Sequence, residues 1–192
     1  MSTTRHVAIV YHSGYGHTAK QAEAVLKGAS QVAGVSASLH SVDQMDDASW
    51  QKLDQADAII FGSPTYMGSV SAPMKAFMDA SSKVWMTQKW KDKLAAGFTN
   101  SGSLSGDKLN SLIQLMVFAC QHSMLWVSLG LMPGNNSSQS SSDDLNRMGG
   151  MAGAMAQSDV DAGPDIAPPQ SDLDTAAHLG KRVAELCLTF KK

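Results

Sequence analysis

Short apolar runs alternate along this chain with segments whose apolar residues recur every three to four positions. Val7 to Tyr11, Ala56 to Phe61, Leu94 to Phe98 and Leu125 to Leu131 are apolar almost throughout, as parallel strands covered on both faces require. Val35 to Leu39 is a weaker fifth strand. Between them, Ala19, Ala22, Val25, Leu26 and Ala29 share one helical face, and Met74, Phe77 and Met78 share another after Pro73, a residue suited to a first helical turn. Leu109, Leu112, Ile113, Met116 and Val117 predict a third apolar helix face, and Ala176, Leu179, Val183, Leu186 and Phe190 a last one. The alternation predicts an α/β fold, a doubly wound five-stranded parallel sheet with helices on both faces.

The pattern breaks once. From Met132 to Gln170 the chain is rich in Ser, Gly, Asn and Pro, a long insertion before the last helix. A loop of that length is either functional or a disordered linker. The serine-rich half fits both readings, whereas Met148, Met151 and Met155 favour order in the second half, because methionine packs adaptably.

Composition narrows the function. With 192 residues, 43% of them hydrophobic, residues 1–192 suffice for one domain with its own core. The formal charge of −2 leaves no basic footprint for nucleic acid, and no apolar run reaches the roughly 20 residues of a membrane span. Lys83, Lys89, Lys91 and Lys93 read as a solvated face. Cys120 and Cys187 sit in helical patterns and read as buried free thiols, which with no leader before the first strand suggests a cytoplasmic protein.

Three strand ends carry loops suited to a ligand, which in such sheets binds beyond the carboxyl ends of the strands. The first, SGYGHT, fits the loose G-x-G-x-x-A pattern, but no acidic ribose-binding residue closes the second strand, and the Walker pattern is absent. Ser13, His17 and Thr18 surround its glycines at a helix start, an arrangement that neutralises a phosphate monoester through amide dipoles and hydroxyls. The second loop, GSPTYMGS, supplies a rigid turn and apolar cover. The third, TNSGSLSG, lets backbone amides approach a flat heterocycle that gains negative charge.

SGYGHT, GSPTYMGSVSAPMKAFMD, TNSGSLSG and QHSM, in that order, resemble the flavodoxin-like NAD(P)H:quinone oxidoreductases of the WrbA type over nearly the whole chain. The resemblance implies the strand order 2-1-3-4-5 and FMN as cofactor. Ser13, Tyr15, Gly16, His17 and Thr18 would then hold phosphate and ribityl. Pro64, Thr65, Tyr66, Met67 and Gly68 would line one side of the flavin, and Asn100, Ser101, Gly102, Ser103, Leu104 and Ser105 the other. His122 matches a family histidine near the flavin, and Trp85 an aromatic that faces it. Tyr66 and Met67 stand where the family often has Arg-Phe, which bears on substrate preference. On residues alone, His122 reads as a helix-end histidine, Trp85, Trp90 and Trp126 as core or interface, and each glycine loop taken singly as a turn.

The implied chemistry passes two electrons from NAD(P)H to a quinone at one flavin site, by a ping-pong cycle. The cofactor performs the hard step, so no indispensable acid, base, nucleophile or metal is expected, and Tyr66, Trp85 and His122 are substrate-stacking candidates. Two alternatives use the same cofactor: a flavodoxin-type electron carrier, for which −2 is a weak steering charge, and a non-enzymatic FMN-binding regulatory protein. The resemblance also implies a homotetramer. Met86, Trp90, Met148, Met151 and Met155 exceed what the sheet and its helices need to bury and are the expected interface.

Overall fold

The computed structural model describes residues 4–190. In chain order its elements are β1 (Arg5–Tyr11), α1 (His17–Ser30), β2 (Val35–Ser41), α2 (Asp47–Gln55), β3 (Ala58–Tyr66), β4 (Ser69–Val70), α3 (Ala72–Ala80), α4 (Ser82–Met86), β5 (Leu94–Ser101), α5 (Lys108–Gln121), β6 (Leu125–Trp126), β7 (Ala154–Gln157) and α6 (Gln170–Thr189). The parallel strands follow the order β2-β1-β3-β5-β6. Counting only the five expected strands, this is the order 2-1-3-4-5.

Successive residues of a strand face opposite sides of the sheet, and the core divides accordingly. Val7, Ile9, Ala58, Ile60, Ala96 and Phe98 meet α1 and α6 through Ala22, Val25, Leu179 and Val183. Ala8, Val10, Ile59, Phe61 and Ala95 face the other way, onto Leu53 of α2, Met74 and Phe77 of α3, and Leu115 and Phe118 of α5. Each central strand is therefore covered twice, which is why its sequence shows no polar alternation.

The fifth strand differs from expectation. β6 is only two residues long and pairs with Leu94 and Ala95 at the start of β5. Further along β5, Phe98 to Ser101 pair instead with β7, from inside the insertion. The stretch Val127 to Leu131 leaves the ladder there, and the methionine half of the insertion returns as a strand. Helix α2, begun by the Asp46 side chain accepting from the Ser49 amide at 2.8 Å, turns Trp50 and Leu53 toward the core.

Four expectations about burial are corrected. Leu109, Ile113 and Val117 of α5 point outward and are exposed; Leu112, Leu115, Phe118 and Ala119 supply its core face. Trp90 is wholly buried, stacked over Trp50 and Phe77, so it belongs to the core and not to an interface. Cys120 is exposed, unlike Cys187. Lys93 is buried, its ammonium donating to the carbonyls of Leu53, Asp54 and Ala56 at the end of α2. No helix among the described residues is long and apolar enough to cross a membrane.

Candidate functional site

The ends of β1, β3 and β5 border one cavity of about 700 Å³. Ser13, Tyr15, His17 and Thr18 come from the β1–α1 turn, Pro64, Thr65 and Tyr66 from the end of β3, and Asn100, Ser101 and Gly102 from the end of β5. A fourth wall is the insertion: Ser158 and Val160 to Pro164 close the cavity opposite the strand ends.

Much of the expected donor set is engaged in building the walls. Ser13 Oγ accepts the Ala19 amide at 3.0 Å and so caps the first turn of α1. His17 Nε2 lies 2.9 Å from the carbonyl oxygen of Ala162; a carbonyl only accepts, so this nitrogen carries the proton. Thr65 Oγ1 bonds Thr99 Oγ1 at 2.8 Å and Ser111 Oγ at 2.7 Å, and Asn100 Nδ2 donates to Ser158 Oγ at 2.8 Å. What remains for a ligand at the helix start is the Thr18 hydroxyl with the amides of His17 and Thr18, none of which has a partner among the described residues.

Two glycines are required by close approach. A Cβ on Gly16, already at φ 89°, would lie 2.8 Å from Pro164, and one on Gly102 would lie 2.6 Å from Val160. The insertion thus packs directly on the first and third loops. Across the cavity mouth Tyr66 stands edge to face with Tyr15, ring centres 6.2 Å apart. Among the described residues no lysine or arginine lines the cavity, and Asp161 is the one carboxylate that does.

Several predicted site residues lie elsewhere. Gly16 starts α1 against Pro164 and does not itself line the cavity. Met67 is fully exposed in a left-handed turn with Gly68, facing solvent away from the cavity. Ser103, Leu104 and Ser105 follow Gly102 just beyond the residues that line it, and Leu104 and Ser105 border a neighbouring groove. Trp85 is half exposed on α4 and outside the cavity of its own chain. His122 is corrected: it is 1% exposed, 4.5 Å from the Trp90 ring and 4.9 Å from Phe118, with Nε2 2.8 Å from Ser81 Oγ. Burial among these rings lowers its pKa to about 4, and its Nδ1 has no partner. The reason is position: His122 closes α5 at the far end from the strand tips, over the aromatic core.

Residues 158–164 of the wall were missed. Their only local signal is a run of turn formers, DVDAGP, and their place depends on β7 pairing with β5 and on His17, both far away in sequence.

Comparison with known proteins agrees with this architecture. Residues 16–133 match the family described as NADPH-dependent FMN reductase. The chain is 47% identical to "Flavodoxin FldP" of Pseudomonas aeruginosa, over 93% of this chain and 94% of that one. It is 30% identical to an "NAD(P)H dehydrogenase (quinone)" of Archaeoglobus fulgidus, over 94% and 96%. Among solved structures, a flavodoxin-fold WrbA-like protein from Agrobacterium tumefaciens superposes with a TM-score of 0.77 at 44% identity, covering 97% of this chain and 99% of that one.

Proposed function

This chain belongs to the NADPH-dependent FMN reductase family, in its flavodoxin-like WrbA type, and from that premise we propose that it seats FMN in the strand-end cavity and passes two electrons from NAD(P)H to quinones. The observation that carries this reading is the phosphate end. Among the described residues the His17 and Thr18 amides and the Thr18 hydroxyl are unpartnered at the start of α1, and no lysine or arginine lines the cavity beside them. Helix-start amides of this kind suit a phosphate monoester. The cavity, about 700 Å³, is also of a size usual for small-molecule sites.

Ser13 and the His17–Ala162 bond keep the first turn of α1 in shape, so its free amides converge without a rearrangement on binding. Pro64 and Tyr66 from β3 and Ser101 and Gly102 from β5 would flank the ring system. Bound there, FMN would supply the two-electron redox chemistry between a reduced nicotinamide and a quinone. Tyr66, 37% exposed beside Tyr15, remains the stacking candidate that borders the cavity, and no residue of the chain is needed as acid, base or nucleophile. One cavity serving both substrates in turn favours a ping-pong cycle.

We propose also a homotetramer. Leu109, Ile113 and Val117 form an exposed apolar stripe along α5, and Trp85 and Met86 are exposed on α4; such surfaces are usually covered. In an assembly Trp85 would serve a neighbour's cavity, since it does not reach its own.

One observation favours a second reading, an electron carrier: the 47% relative bears the name flavodoxin. Steady-state oxidation of NADH and NADPH by the FMN-loaded protein with benzoquinone separates the two. The oxidoreductase turns over rapidly with no protein partner; a carrier, or a regulatory FMN-binding protein, does not.

A further inference from the structure

The turn that follows β5 is held from behind by a buried cation. Lys108 is 1% exposed, and its ammonium donates to the carbonyls of Ser103 at 2.6 Å and Leu104 at 3.2 Å. The two preceding carbonyls are also taken: Ser101 O accepts the Ser158 amide at 3.1 Å, and Gly102 O accepts Gln157 Nε2 at 3.0 Å. In a planar trans peptide the N–H points opposite to the C=O. Four consecutive peptides therefore turn the amides of residues 102–105 away from those partners, and none of these amides has a partner among the described residues.

The charges around Lys108 do not cancel. Arg147 pairs with the buried Asp172 through bonds of 2.7 and 2.8 Å, and the second Asp172 oxygen also accepts the Gln157 amide at 2.9 Å. Asp159 is held by Gln157 Nε2 at 2.7 Å, and Asp107 precedes Lys108 at the start of α5. With Arg147 and Asp172 neutralising each other and Asp159 on the exposed side, the ammonium remains as buried positive charge beneath a turn whose first residues, Ser101 and Gly102, line the cavity.

We propose that Lys108 is a positioning residue of the cofactor site: it holds the 101–105 turn with its peptide N–H groups free for the ligand, and its charge favours the reduced, anionic form of a bound flavin over the oxidised form. This rests on the FMN reading above. Burial lowers the Lys108 ammonium to about 8, opposed by the carboxylate of Asp172 and reinforced by the cationic Arg147, so the charge is lost within an accessible pH range.

The test compares the wild type with Lys108→Met and Lys108→Arg, measuring dissociation constants for oxidised and for reduced FMN by anaerobic titration between pH 6 and 10. At pH 7, Lys108→Met should lower the preference for reduced over oxidised FMN by tenfold or more, while Lys108→Arg keeps it within about threefold. The wild-type preference should fall above pH 8 relative to Lys108→Arg, whose guanidinium stays charged. That comparison uses two cationic proteins, so it holds even if Lys108→Met does not fold. Parallel pH profiles for wild type and Lys108→Arg, or a folded Lys108→Met with an unchanged preference, would overturn the proposal. A wild type that binds no FMN would overturn the reading beneath it instead.

Discussion

His17 and Ala162, 145 positions apart in the chain, are joined by a 2.9 Å hydrogen bond from the imidazole of the first loop to the main chain of the insertion. The bond makes the far wall of the cavity depend on the helix that would receive the phosphate. His17→Gln, whose amide is shorter, should release residues 158–165 and leave the sheet intact. Limited proteolysis is the check: faster cleavage near Val160, which is already 91% exposed, together with an FMN dissociation constant raised several-fold. Unchanged cleavage would mean that the Pro164 and Val160 contacts alone hold the wall.

The Arg147–Asp172 pair holds the same insertion to α6. Asp172→Asn leaves a nearly buried guanidinium without its counter-charge, a loss of about 3–5 kcal/mol for a pair broken from one side. Urea unfolding at neutral pH measures it. A change under about 1 kcal/mol would show that water replaces the carboxylate there.

His122 makes stability depend on pH. Its folded pKa of about 4 lies below the ordinary value of 6.5, so the unfolded chain takes up the proton first as pH falls. The contribution is complete above 6.5 and is lost progressively down to pH 4, roughly 3 kcal/mol in all. Chemical denaturation of the wild type and His122→Phe at pH 4 to 7 should show a smaller decline in the variant. Equal declines would assign the acid sensitivity to other groups.

The α5 stripe carries the assembly prediction. Ile113→Lys places a charge at the centre of the stripe, on a residue already 40% exposed in the single chain, so folding should be little affected. Sedimentation at micromolar protein should show smaller species than for the wild type. Identical sedimentation coefficients would exclude this face as an interface.

Features of the fold and site with local causes are legible in the sequence. Each central strand is covered on both faces, so Ala58 to Phe61 and Leu94 to Phe98 stand out as apolar runs, and the glycines and hydroxyls after them mark the strand tips where Ser13, Thr18, Pro64 and Asn100 meet. What could not be read depends on distant pairing. Ala154 to Gln157 take the edge of β5 left open by the short β6, which is a competition between two segments and has no signature within either. Lys93 and Lys108 look like surface lysines in sequence and become buried only because carbonyls of α2 and of the third loop converge on them. Trp90 and His122 were likewise ambiguous, because an aromatic at a helix end suits a core as well as a site.

In the proposed site the amides of His17 and Thr18, with the Thr18 hydroxyl, receive the phosphate of FMN. Titration of the apoprotein with FMN and with riboflavin tests it most directly, because the two ligands differ only in that group. Charge-assisted hydrogen bonds contribute about 1.5–3 kcal/mol each, so riboflavin should bind at least 100-fold more weakly, and Thr18→Val should narrow the gap by roughly tenfold. Equal affinities for FMN and riboflavin would contradict the account.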